Sequence, residues 1–248
     1  MLRLFFSISM VFIFGWLPGA AMAGEPDWTP YRQLLSRYVV PGELQGIKLN
    51  TLHYSALRSD PLLNQAVAIV ETFPVQQLQT REEKLSFYIN AYNILAIKMI
   101  RDHWPVDSIK DAGHWYSPVW KKDAGTIDGE TVTLQQVEDD FLRSLHEPRI
   151  HLAIVCASIS CPDLRMKPYR AASLNQQLDD QAKRFLANPG KGLRIDGETA
   201  HVSRIFHWFK DDFKVGGGVE AFIRRYHPLP QSVNIDADID YNWQLNGS

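Results

Sequence analysis

Residues Thr80–His103 read TREEKLSFYINAYNILAIKMIRDH, and the fold is decided by this stretch. Thr80 with Glu83 makes a capping box at its start, and Pro105 stops it. At about 100° per residue, apolar side chains cover most of the circumference and leave one narrow strip of Lys84, Ala91 and Lys98. A helix of that kind lies inside a protein. Asn90 and Asn93 project from its buried side, where an amide without partners costs free energy. Both must hydrogen-bond. A neighbouring loop backbone is the expected partner, and direct contact with a ligand is the alternative, so both are candidate site residues.

Other helices start on equally local signals. Thr29-Pro30 and Asp60-Pro61 open two of them, running to about Val39 and Thr72. Thr133 with Gln136, and Ser173 with Gln176, open two more that end near Ser144 and Asn188. A short helix over Val219–Tyr226 follows a glycine run. Ile47–Tyr54 reads as a weak strand, and Asp128-Gly129 and Asp196-Gly197 mark hairpin turns. His151–Cys156 (HLAIVC) has the length and apolarity of a central strand. The expected fold is α/β or α+β: a single domain with a modest, mainly antiparallel sheet packed with helices. Residues 24–79 form a helical extension on a main domain of residues 80–248.

The N-terminus carries an address. Arg3 precedes the apolar run Leu4–Leu17 (LFFSISMVFIFGWL), and Ala21-Met22-Ala23 offers a small-x-small cleavage site before Gly24. The run is shorter than the ~20 residues of a spanning helix. Residues 1–23 are therefore expected to be a cleaved signal, which places the protein in the periplasm or outside the cell. No later stretch is long and apolar enough to span a bilayer. A formal charge of −2 with no basic run gives no sign of a nucleic-acid or membrane-surface partner, and no nucleic acid is expected.

With these segments in place, the chain resembles the family catalogued as domain of unknown function 547. The resemblance rests on Tyr88-Ile89-Asn90-Ala91-Tyr92-Asn93, on Trp104 to Ile109 (WPVDSI) and on Leu134 to Arg143 (LQQVEDDFLR). It continues through Arg149-Ile150-His151, Cys156 to Pro162 (CASISCP), Ser203-Arg204-Ile205-Phe206, Trp208 and Asp212-Phe213. Where the family pattern has Ile-Glu-His, this chain has Val137-Glu138-Asp139. The family brings no established reaction. At the level of fold, the resemblance extends to papain-like thiol hydrolases.

Chemistry concentrates in Cys156–Pro162. Pro162 suits the first position of a helix, which would place Cys161 at a helix N-cap, where the dipole favours thiolate. His151 as base and Glu138 as its orienter would complete a Cys-His-carboxylate triad, with His207 or His114 as other possible bases. An extended His151–Cys156 separates its ends by about 16 Å, so such a triad needs the following loop to double back. Two other states of the pair stand beside this one: a structural Cys156–Cys161 disulfide, common in exported proteins, or two buried thiols. Ser158, Ser160 and Trp208 line the same segment or its surroundings.

No metal or cofactor motif is present. The histidines of His146–His151 are five apart, on different faces of a helix that Pro148 breaks in any case. Gly216-Gly217-Gly218 reads as a connector. Two functions follow: a thiol-dependent hydrolase or transferase acting on an amide or ester, or a binding module pinned by a disulfide. The partner would be a small molecule, a peptide or an envelope protein.

Overall fold

The computed structural model describes residues 24–114 and 117–248, so the signal expected over 1–23 lies outside the described residues. The chain runs α1 (Thr29–Tyr38), β1 (Val39–Leu44), β2 (Ile47–Leu52), α2 (Tyr54–Leu57), α3 (Pro61–Thr72) and α4 (Arg81–His103). It continues through β3 (Asp123–Ile127), β4 (Glu130–Thr133), α5 (Leu134–Gln136), a π-helical turn (Val137–Leu142) and α6 (Leu174–Leu186). It closes with β5 (Leu193–Asp196), β6 (Thr199–Ser203), α7 (Ile205–Trp208), α8 (Gly218–Tyr226) and β7 (Asn234–Ile239). Strands pair as two antiparallel hairpins, β1–β2 and β3–β4, and as a three-stranded sheet in which β6 pairs antiparallel to β5 and parallel to β7. The architecture is α+β, in a single domain with small sheets. Among the described residues no helix is long and apolar enough to cross a membrane.

Helix α4 is the axis of the larger core. Its capping box forms as the sequence requires, with Thr80 accepting from the Glu83 amide and Glu83 accepting from that of Thr80. Burial reaches round the helix: Ala91 is covered, and of the expected polar strip only Lys84 is fully exposed. Residues before α4 share its core, with Trp28 and Phe73 both packed on Phe87. A second core gathers Phe185, Phe206, Phe213 and Phe222 beneath β5, β6, α6 and α8. The segment from Ile150 to Leu152 bridges the two, Ile150 belonging to the first and Leu152 to the second.

Three segments differ from expectation. His151–Cys156 is not a strand: Pro148–Leu152 is a 3-10 turn, capped by the Glu147 side chain, and an irregular segment follows. Its backbone is satisfied by a side chain instead of a neighbouring strand. Asn93 donates to the Ala153 carbonyl (3.1 Å) and accepts from the Val155 amide (2.8 Å). Pro162 opens no helix, and the Cys161 amide closes a tight turn onto the Ser158 carbonyl (3.1 Å). The helix begun at Thr133 gives one α turn, then widens into the π turn at Val137–Leu142. β1 was not read from the sequence. It pairs with β2 across Gln45-Gly46, both of which have positive φ.

Candidate functional site

A cavity of about 380 Å³ lies where the two cores meet. Cys156, Cys161, His151, Glu138 and Trp208 all line it, together with Trp120, Asp139, Phe209, Tyr241 and Trp243. The irregular path from His151 to Cys161 thus brings both ends of the segment to one cavity.

The thiol end is a dense cluster. The Cys156 and Cys161 sulfurs stand 2.8 Å apart as free thiols. Three donors reach the Cys161 sulfur besides its neighbour: the Ser158 hydroxyl (3.2 Å), the Tyr241 hydroxyl (3.1 Å) and the Cys156 amide (3.2 Å). Burial pushes the Cys161 thiol up, but hydrogen bonds from Cys156, Ser158 and Tyr241 outweigh it and bring it down to about 6. Its partner moves the other way. The hydrogen bond to Cys161, then burial, raise Cys156 well above the ordinary thiol range, so the pair holds one proton on Cys156 and a thiolate at Cys161.

The loop that carries this pair is fixed from behind. Lys191, 2 % exposed, donates to the Cys161 carbonyl (2.7 Å) and to the Asp163 carboxylate (2.6 Å). Gly192 lets the chain pass close enough to deliver that lysine, since a Cβ there would lie 1.7 Å from the Phe185 carbonyl oxygen. On the other side, residues 157–160 run beside the C-terminal segment. The Ile159 amide donates to Gln244 O (2.8 Å), that of Ser160 to Asn242 O (3.2 Å), and that of Asn246 to Ala157 O (3.0 Å). Ala157 adopts φ 60°, an unusual backbone state for a residue with a Cβ, directly after Cys156.

The imidazole end is built from charges. His151, buried, donates through Nε2 to Asp212 (2.7 Å), and its ring stacks on Phe209 at 3.9 Å. Nδ1, itself buried, has no hydrogen-bond partner among the described residues and lies 3.7 Å from Glu138, an ion-pair separation beyond hydrogen-bond reach. Burial lowers the affinity of this imidazole for its second proton, but the two carboxylates overcome that, and its pKa is raised. Asp212 is held low by the hydrogen bond from His151, against burial, and by the two-pronged contact from Arg143 (2.7 and 3.0 Å). Arg143 also pairs with Asp139 at 2.7 Å. Glu138 and Asp139 are carried by the π turn, a helix form found often at functional sites.

Asp212 is therefore the carboxylate hydrogen-bonded to the ring, and Glu138 pairs with the buried Nδ1 at ion-pair distance. Ser160, Asn90 and Asn93 do not line the cavity. The Ser160 hydroxyl accepts from the Asn242 amide (2.8 Å), and Asn90 clasps Tyr169 through its carbonyl and amide, both at 2.9 Å. These groups are used up in holding loops. His114 and His207 are exposed and line no part of the cavity. Among the described residues no group of three or more His, Cys, Asp and Glu is placed to hold a metal ion.

The aromatic wall was only partly visible in the sequence. Trp208, 44 % exposed, lies nearly parallel to Trp243 (centroids 5.8 Å apart), and Tyr241 packs on both at 4.9 and 4.5 Å. Trp120 meets Trp243 edge-on at 5.4 Å. Tyr241 and Trp243 form no motif with the cysteines; the aromatic pair after a strand of alternating aspartates was their one signal.

Residues 75–186 match the model of a family described as "Protein of unknown function, DUF547". This bears out the resemblance drawn from the motifs, over a segment that holds Glu138, His151, Cys156 and Cys161. Lys191, Trp208, Asp212, Tyr241 and Trp243 lie beyond it. No curated protein and no solved structure matches the chain.

Proposed function

Taking residues 75–186 as a segment of that family, we propose that the protein is an exported thiol-dependent hydrolase or transferase acting on an amide or ester. Cys161 is the nucleophile, His151 the acid and base, and Asp212 the group that orients His151. One observation carries this reading: donors converge on the Cys161 sulfur at a cavity that His151 also lines, its Nε2 tied to Asp212 and its buried Nδ1 without a hydrogen bond among the described residues. No hydrogen bond joins His151 to either sulfur among the described residues, so this reading gives the imidazole, oriented by Asp212, the leaving group to protonate and leaves the thiolate to its own donors.

In this reading the Cys161 thiolate attacks the carbonyl carbon, and the C=O π pair moves to oxygen. When the carbonyl re-forms, the bond to the leaving nitrogen or oxygen breaks, and that atom takes the Nδ1 proton of His151. The product is an acyl thioester on Cys161. Neutral His151 then accepts a proton from water, or from another acceptor, as that nucleophile attacks the thioester and frees the thiolate. Glu138 stabilises the charged ring each time it forms.

The test is native alkylation. Cys161 should react with iodoacetamide at neutral pH far faster than an unperturbed thiol, with the rate rising through pH of about 6. The Cys161→Ser variant should lose this fast labelling altogether, and a thiol that labels only after unfolding would reject the proposal. The second reading, a periplasmic binding module with a structural Cys156–Cys161 bridge, is favoured by the 2.8 Å between the sulfurs. It requires that no thiol be found in the exported protein until a reductant is added. Export itself is tested by N-terminal sequencing, which should begin at Gly24.

A further inference from the structure

A thiolate that is stabilised only in its resting state is a poor nucleophile, because every hydrogen bond lost on attack adds to the barrier. The three donors around Cys161 raise this problem directly. Attack moves the negative charge from sulfur to the carbonyl oxygen, one atom beyond the new S–C bond. A donor that can follow the charge lowers the barrier; one that stays on sulfur raises it.

The three are placed differently. The Cys156 amide is fixed in the backbone, and Ser158 is 1 % exposed and lines no part of the cavity. Tyr241 lines the cavity, with its hydroxyl 3.1 Å from the Cys161 sulfur and 3.2 Å from Ser158. Its ring packs against both Trp208 and Trp243, and among the described residues its hydroxyl has no hydrogen-bond partner outside the thiol cluster. Resting on the thiol-enzyme reading above, we infer that Tyr241 is a catalytic residue: its hydroxyl passes from the thiolate to the oxyanion of the tetrahedral adduct. Burial, then the charge of the neighbouring sulfurs, keeps the phenol protonated and so able to donate in both states. The electron pair released from the C=O bond rests on an oxygen that accepts from Tyr241, and returns to re-form the carbonyl when the leaving group departs with the His151 proton.

The bland alternative is that Tyr241 only packs the aromatic wall and tunes the thiol. Two reagents separate these roles. Iodoacetamide alkylates a thiolate by direct displacement and forms no oxyanion, whereas p-nitrophenyl acetate acylates it through one. Both rates are measured for the wild type and Tyr241→Phe, at a pH high enough that Cys161 is fully ionised in each. The inference expects alkylation to hold or rise, because the ionised sulfur no longer has that hydrogen bond to lose, and acylation to fall by about 10²–10³, the usual cost of one oxyanion donor. If Tyr241→Phe unfolds, fluorotyrosine at position 241, a stronger donor of nearly the same size, should raise the ratio of acylation to alkylation. Equal changes in the two rates, or an unchanged ratio with fluorotyrosine, would overturn the role of Tyr241 while leaving the thiol enzyme standing. A wild type that is alkylated quickly but never acylated would overturn both.

Discussion

His151 and Cys161 end the same short segment, line the same cavity and are both buried, yet the protein stabilises opposite charges at the two places. At the histidine end, full charges do the work: Asp212 at 2.7 Å and Glu138 at 3.7 Å hold the ring protonated. At the cysteine end no cation contacts the sulfur among the described residues, and neutral hydroxyl and amide donors hold it ionised. The difference teaches how each end responds to change. Ionised partners act strongly and fail together when one is removed, whereas dipoles can be re-aimed as charge moves.

The pH dependence of stability should divide the same way. The folded pKa of His151 is raised, so its stabilisation is complete below the ordinary imidazole value and is lost as pH rises through the folded value. That of Cys161 is lowered, so its stabilisation is present above the ordinary thiol value and is lost as pH falls through about 6. The sharpest way to break the comparison is His151→Leu, which leaves Glu138 without its cation and Asp212 with Arg143 alone. It should cost on the order of 3 kcal/mol in urea melts at mildly acidic pH, with less lost in alkaline solution. A penalty independent of pH would mean that the ring is neutral and merely packed.

Lys191→Met probes the thiol end from behind. It removes two charge-assisted hydrogen bonds, to the Cys161 carbonyl and to Asp163, and should cost roughly 2–3 kcal/mol. Because Lys191 grips the backbone and not the sulfur, its loss should also scatter the thiol geometry and slow native alkylation. Fast labelling with an intact pH profile would show that the loop holds its shape unaided. The smallest effect is expected at Ala157→Gly. Glycine adopts φ 60° without the Cβ clash, which offsets its greater chain entropy, so stability should stay within about 1 kcal/mol of wild type. A larger loss in the same melts would mean that the methyl group, and not the backbone, shapes the loop.

What the sequence disclosed depended on the range of the interaction. Thr80 and Glu83 could be read because a cap is settled within three residues. Asn93 announced a need for partners without naming them, since the Ala153 carbonyl and Val155 amide lie some sixty positions on. The same contact explains why HLAIVC passed for a strand: buried apolar residues look alike whether a strand or an asparagine satisfies their backbone. Cys161, His151 and Glu138 stood out as reactive types close together in the chain. Asp212 and Tyr241 reach the cavity only through the packing of the second core and the tail, and no spacing rule connects them to the residues they touch.

The tail has a consequence for the order of events during folding. Tyr241 meets Cys161 across 80 positions, and the strands of hydrogen bonds between residues 157–160 and 242–246 span a similar distance. Contacts of that range form late, because the chain between them must be ordered before they repay it. Until the tail docks, Cys161 lacks one of its donors and behaves more like an ordinary thiol, protonated at neutral pH. We expect, then, that the folding chain stays chemically quiet and becomes reactive only as residues 242–246 settle, a sequence that pulsed alkylation during refolding would record as labelling that lags behind helix formation.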